Sequence, residues 1–311
     1  MNQRKVVIWG IGNDYEAILN QLKFEICKNN IICEALVCRD QDAYVCKKDG
    51  FPVVKISEFH KLDFEYLIIA SSNFFDEIRD EAIKMGVKPN CIIDGRVFRQ
   101  PLFDFKRYVS LIENPITILS DDCWGGFAYN RLYLPFTSPL INIQWKKEQY
   151  ARFIQKPLYY LDTDLQFVHE GDVYEGVCPI GRLGNENDYV ELYFVHYCSF
   201  SSALEQWNRR IKRINRNNIF VKMGFSNADA SENKEEWIQA FKNVNYKKIL
   251  FYNGKDNLPE MFNQANERFI WSHESAQMVF NYNYNYYCMY NYYWDLDLLK
   301  LLVDGEDYSR Y

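Results

Sequence analysis

Val6-Val7-Ile8-Trp9-Gly10-Ile11-Gly12-Asn13-Asp14 decides the fold, because four apolar residues run directly into a glycine turn. Behind the turn, Ala17, Ile18, Leu22 and Ile26 recur at helical spacing, so the segment reads as strand, turn, helix. Working outward, strands are expected at 31–38, 66–70 and 91–93, with a helical stretch at 74–84. Alternation of this kind predicts a mainly parallel sheet flanked by helices. A second series starts at Pro115, with strand candidates at 116–119, 189–195, 219–223, 249–252 and 269–271. Helical patterns fall at 102–113, 201–214, 234–241 and 296–303. The expected fold is α/β, with two Rossmann-like domains whose mainly parallel sheets are flanked by helices. Residues 1–100 form a nucleotide-binding-type domain and 101–311 a second α/β domain, with the boundary in the stretch 96–101.

The chain has 311 residues, 48% of them hydrophobic, which suffices for two cores. A formal net charge of -6 supplies no global positive field for nucleic acid or an anionic membrane. Nine cysteines, odd in number and never spaced Cys-x-x-Cys, predict reduced thiols in place of a disulfide framework or zinc knuckle. The first residues run straight into a strand, so no secretory leader is expected and the cytoplasm is the expected compartment. The uncharged run 275–294 is long enough to span a bilayer, but Asn281, Asn283, Asn285 and Asn291 make it a poor membrane helix.

Chemistry is expected first at Gly10, Gly12, Asn13 and Asp14. A turn between a strand and a helix N-terminus is where a pyrophosphate is held in dinucleotide-binding domains. Tyr15 stands where that fingerprint has its third glycine, and Asp40 is the nearest acid to the end of the second strand. The turn therefore suits a nucleotide sugar, a nicotinamide cofactor or a purely structural role.

Ser120-Asp121-Asp122-Cys123-Trp124-Gly125-Gly126 is the densest polar cluster and starts where the strand 116–119 ends. Ligands of open α/β sheets bind beyond the carboxyl ends of strands. Asp121 and Asp122 could there hold magnesium or manganese, or one could act as a general base. The same residues would also suit a helix cap and turn. In a parallel sheet, the segments after 195, 223, 252 and 271 reach the same rim, bringing His196, Tyr197, Gly224, Lys255 and His273 towards the aspartates. His196 is the expected proton carrier. In the helix at 201–215, Leu204, Trp207, Ile211 and Ile214 share a face, leaving Arg209, Lys212, Arg213 and Arg216 to solvent. Arg210 flanks the apolar stripe and is expected to point inward towards phosphate or carboxylate. Asp162 and Asp164 form an Asp-x-Asp pair, an alternative metal site, although the spacing recurs at Asp40/Asp42 and Asp295/Asp297.

Ile118-Leu-Ser-Asp-Asp-Cys-Trp-Gly-Gly126, Pro135-Phe-Thr-Ser-Pro139, Phe194-Val-His-Tyr197 and Trp207-Asn-Arg-Arg-Ile-Lys-Arg-Ile-Asn215 together resemble a family of unknown function found among exopolysaccharide and capsule biosynthesis proteins. Several of its members carry the label glycosyltransferase. The likeness covers about residues 115–222. The amino-terminal part looks like the sugar-nucleotide-associated Rossmann-like domains that precede some sugar acyltransferases. The resemblance implies a place in surface-polysaccharide biosynthesis more than a reaction, and the favoured expectation is a glycosyltransferase-like transferase acting on an activated sugar or glycan precursor. It adds Ser120, Trp124, Gly125, Gly126, Ser138, Tyr197 and Arg210 as expected substrate contacts. The rival expectations are a noncatalytic nucleotide-sugar sensor and an NAD-dependent oxidoreductase.

Overall fold

The computed structural model describes residues 3–39, 46–100, 102–173, 176–226, 234–253, 270–272 and 297–305. It divides into two compact units, one of Met1–Glu113 with Arg131–Tyr133, the other of Asn114–Asn130 with Leu134–Tyr311. No helix among the described residues is long and apolar enough to cross a membrane.

In the first unit the elements run β1 (Arg4–Trp9), α1 (Asn13–Cys27), β2 (Ile31–Cys38), β3 (Lys47–Lys48), β4 (Phe51–Lys55), β5 (Tyr66–Ile69), α2 (Phe75–Lys84), β6 (Ile92–Asp94) and α3 (Phe105–Glu113). The sheet order is β3-β4-β2-β1-β5-β6. All pairings are parallel except β3 with β4 at one edge. β5 is buried along its whole length, as a central parallel strand covered on both faces must be, which is why it reads as an unbroken apolar run. Helix α1 buries Tyr15, Ile18, Leu19 and Leu22 on one face. It also buries Glu25, whose carboxylate accepts from Asn30 Nδ2 at 2.7 Å and from the Phe105 N–H at 3.3 Å. That bond docks the start of α3, and Phe105, Tyr108, Val109 and Leu111 follow it into the core. The helix that the sequence reading set at the head of the second domain therefore packs within the first unit.

The second unit comprises β7 (Thr117–Ser120), α4 (Trp124–Arg131), α5 (Lys147–Gln155), α6 (Pro157–Leu161), β8 (Gln166–Val173), β9 (Gly176–Asn185), β10 (Asp188–Tyr193), α7 (Phe200–Ile211), β11 (Ile219–Ser226), α8 (Lys234–Lys242), β12 (Lys247–Asn253), β13 (Ile270–Ser272) and α9 (Leu298–Asp304). Strands β13-β12-β11-β7 form a parallel sheet. A three-stranded antiparallel sheet, β10-β9-β8, accompanies it. The fold is thus mixed α/β with mostly parallel pairing, and the expectation that the segment 189–195 joins the parallel sheet is corrected, because it pairs with β9. Strand β9 carries Pro179 and three glycines, two of them interior, which lowers its local strand preference. Gly181 is required there by packing: a Cβ would lie 2.7 Å from Leu165 Cδ1 and 2.8 Å from Phe194 Cε2. Leu165 and Phe194 thereby lie against the strand backbone and join the core with Trp145, Tyr150, Phe153 and Trp207.

His273, Glu274, Lys255 and the asparagine–tyrosine tract 281–293 lie outside the described residues.

Candidate functional site

The carboxyl end of β7 pairs with the middle of β11, Ser120 lying opposite Lys222. Tyr150 Oη lies 2.8 Å from the Leu119 carbonyl and 2.9 Å from that of Lys222, sharing its one proton between neighbouring strands just before β7 ends. Beyond this clamp, Asp121 is buried. Its Oδ1 accepts from Lys222 Nζ at 3.0 Å, and its Oδ2 accepts from Lys147 Nζ at 2.5 Å and the Gly224 N–H at 2.9 Å. Asp122 Oδ2 accepts from the same Lys222 ammonium at 2.5 Å.

The two aspartates differ sharply in exposure. The Asp121 side chain is inaccessible, whereas that of Asp122 is 44% exposed. Burial alone pushes the Asp121 carboxyl up, but Lys147, Lys222 and the Gly224 N–H together outweigh it and hold the group below the usual carboxylate range. Burial likewise pulls Lys222 down, and the two carboxylates reverse this and hold it above the usual lysine range. Asp121 and Lys222 thus form a charged floor. Asp122 stands at its mouth with one oxygen on Lys222 and the other taking the Trp124 N–H at 2.9 Å and the Ser120 hydroxyl at 3.0 Å. One Asp122 oxygen thus bonds the first N–H of α4, as expected of a capping aspartate, and the other pairs with Lys222.

His196 reaches this cluster by a different route from the one the sequence implied. It lies on a turn after the antiparallel strand β10, closed by the Tyr197 N–H bonding the Phe194 carbonyl at 3.0 Å. Its Nε2 lies 3.6 Å from Cys123 Sγ. His196 thus meets Cys123, the residue that follows Asp121 and Asp122 in the chain.

The other expected contacts serve packing. Trp124 is buried and stacks on Phe220 with centroids 6.2 Å apart. A Cβ on Gly125 would lie 3.3 Å from Ile118 Cγ2, so glycine lets α4 press against β7. Gly126 faces Ile141, at 3.6 Å from where its Cβ would be. Ser138 is buried, and its Oγ accepts the Leu140 N–H at 3.2 Å. Arg210 does turn inward, but it donates to the Ile141 carbonyl at 2.9 Å and the Tyr197 hydroxyl at 2.7 Å, fixing the turn that carries His196. Asp162 forms a two-pronged pair with Arg216 on the surface, and Asp164 is exposed nearby.

Magnesium or manganese was expected on Asp121 and Asp122. The positive charge beside both carboxylates comes instead from lysine ammonium groups, and among the described residues no three His, Cys, Asp or Glu side chains are grouped to hold a metal. Sequence reading missed Lys222, Lys147 and Cys123. Lys222 did leave a signal, since a lysine inside the apolar run Ile219-Phe-Val-Lys-Met223 needs a buried counter-charge.

In the first unit, Gly10 has φ +114, and a Cβ there would lie 2.5 Å from the Ala70 carbonyl oxygen. β1 and β5 lie side by side at this point, where the strand order reverses. Gly12 precedes α1 with open space where its Cβ would stand. Asn13 is exposed. Asp14 turns its carboxylate to the Ser72 N–H at 2.6 Å, the Ser72 hydroxyl at 2.7 Å and Arg99. The Ser72 N–H bond, with the hydroxyl and Arg99 and against the effect of burial, holds Asp14 down to about 2. Tyr15, in place of a third glycine, is buried and donates to Asp49 Oδ2 at 3.1 Å.

Residues 2–93 match the family model described as C2185-like, N-terminal. An uncharacterized protein of Haemophilus influenzae is 31% identical over 142 residues, covering 45% of this chain. The aligned part spans 63% of that relative's length. Residues 94–295, which include every member of the β7–β11 cluster, match the model described as Domain of unknown function (DUF1919), and over this larger part of its length the chain belongs to that family.

Proposed function

We propose that this chain is a glycosyltransferase-like transferase acting on an activated sugar or glycan precursor in surface polysaccharide biosynthesis, with a nucleotide sugar as its substrate. The observation that carries the reading is the cluster at the carboxyl end of β7, beside the middle of β11. There an exposed acid, Asp122, pairs with the buried Lys222 that also holds Asp121, and an exposed imidazole, His196, contacts Cys123 next to Asp122. Asp122 and His196 are the acid–base groups in this reading, the first as base and the second as proton carrier. Lys147, 22% exposed on its side chain, lies where it can share its charge with a substrate phosphate. Both parallel sheets are read as Rossmann-like. The turn at Gly10–Asp14 is then the nucleotide-facing edge of the first unit, with Arg99 able to exchange Asp14 for phosphate.

The test is a thermal-shift series against nucleotide sugars, acyl-CoA and nicotinamide cofactors, each with and without magnesium or manganese, followed by turnover of whichever binds. A ligand at a hundred times its Kd adds about 2.7 kcal/mol to stability. Stabilisation by a nucleotide sugar with turnover is the expected result. Stabilisation without turnover would favour a sensor, and stabilisation by a nicotinamide cofactor alone would favour an oxidoreductase.

A further inference from the structure

Cys123 is the residue at the β7–β11 cluster that the transferase reading does not use. It is half-buried, directly precedes α4, and lies 3.6 Å through Sγ from Nε2 of the exposed His196. For sulfur, with its larger radius, this is hydrogen-bonding distance, and it is the arrangement by which a base activates a nucleophile. We propose that Cys123 is a nucleophile that carries an acyl group, with His196 Nε2 as the base that takes its proton.

The surroundings decide what this role requires. Burial and the Asp122 carboxylate, against the pull of Lys222, push the thiol up to about 11, which disfavours the free thiolate, so attack requires the base that hydrogen-bonding geometry places on the sulfur, His196 Nε2 at 3.6 Å. In the tautomer with its proton on Nδ1, His196 presents a lone pair on Nε2 to that thiol. The amino end of α4, immediately after Cys123, favours the negative charge that develops on sulfur. Arg210 and Tyr197 hold the turn that positions the imidazole.

The step balances without a redox partner. Sγ attacks the carbonyl carbon of an acyl thioester or activated ester while the S–H proton passes to Nε2. The bond from the carbonyl to the leaving group breaks, and His196 returns the proton to that group. A hydroxyl acceptor then attacks the S-acyl carbon, giving its proton to His196, and the Cys123 sulfur leaves with the proton restored.

The inference goes beyond the transferase reading by adding a separate acyl-transfer step at the same cluster, on a residue that reading leaves unused. The full chain is incubated with p-nitrophenyl acetate and followed by intact mass and peptide mapping. The expected result is one hydroxylamine-sensitive acetyl group on Cys123, formed ahead of any on the exposed Cys27, Cys46 and Cys198. Labelling should vanish in Cys123→Ala and slow by about a hundredfold in His196→Ala. The proposal is overturned if the exposed thiols label while Cys123 does not, or if His196→Ala leaves the rate at Cys123 unchanged. The map of the unaltered protein decides the matter even where a variant fails to fold. Failure of the two readings is separable. Turnover of a nucleotide sugar by a protein whose Cys123 takes no acetyl group removes the thiol mechanism and leaves the transferase, whereas acetylated Cys123 without nucleotide-sugar turnover does the reverse.

Discussion

Lys222 Nζ lies 3.0 Å from Asp121 Oδ1, with both side chains buried. Removing one member of a buried ion pair strands the other, at a cost of about 3–5 kcal/mol. Asp121 keeps Lys147 and the Gly224 N–H, so Lys222→Met is expected to lose about 3 kcal/mol, the low end of that range, by urea unfolding. A loss below about 1 kcal/mol would show that the two carboxylates do not depend on this ammonium.

The same pair sets a pH dependence. The folded state holds Asp121 below its ordinary 3.8, so its contribution is complete above that value and is lost as the pH falls through the depressed one. Lys222 is held above its ordinary 10.5, so its contribution is complete below that value and is lost as the pH rises through the raised one. The double variant Asp121→Asn/Lys222→Met should show a flatter profile of Tm against pH at both the acid and the alkaline end. A curve parallel to that of the parent at both ends would refute the assignment.

Asp122 and His196 are exposed enough to be altered without opening a core. Asp122→Asn and His196→Ala are each expected to reduce turnover by more than about a hundredfold. Unfolding free energy should change by no more than about 1 kcal/mol, the size of a lost cap. Equal losses of stability and turnover would assign Asp122 to capping α4 alone.

The two glycines of the first turn should separate cleanly. Gly10→Ala combines a positive φ with a clash against the Ala70 carbonyl, and is expected to cost at least about 1–3 kcal/mol. Gly12→Val meets open space and should leave the fold intact while weakening any phosphate-bearing ligand of the first unit. Unchanged affinity in Gly12→Val would leave the turn a structural device only.

Truncation tests the extent of the first unit. A fragment of residues 1–113 should fold, whereas one of residues 1–100 loses Phe105, Tyr108, Val109 and Leu111 from its core. Each such side chain is worth about 1.5–3 kcal/mol, and a domain's whole stability is about 5–15 kcal/mol. Comparable circular dichroism and melting of both fragments would show that α3 is dispensable.

Much of the parallel framework was legible in advance. β1, β5, β7 and β11 are short apolar runs, and α1 and α7 carry apolar stripes at helical spacing, all signals written within a few consecutive residues. The placing of Asp121 and Asp122 beyond β7 followed from the same local pattern. Strands β8 and β9 were not legible, since glycine and proline weaken their local preference and their ladder supplies what propensity lacks. The wall role expected of Trp124, Gly125 and Gly126 became packing, because close approach of α4 to β7 is decided by what lies opposite, at Phe220, Ile118 and Ile141.

By itself, then, the sequence determined the alternation of strands and helices and the position of an acidic pair at a strand end, because backbone periodicity and turn chemistry act between near neighbours. Only the tertiary structure decided what that pair is. The counter-charge on Asp121 comes from Lys222, 101 residues away, and the imidazole beside Cys123 comes from His196, 73 residues away, across an antiparallel strand that the parallel reading did not contain. Such partners meet through the packing of a whole unit, and a buried carboxylate acquires its charge state from whatever that packing sets against it.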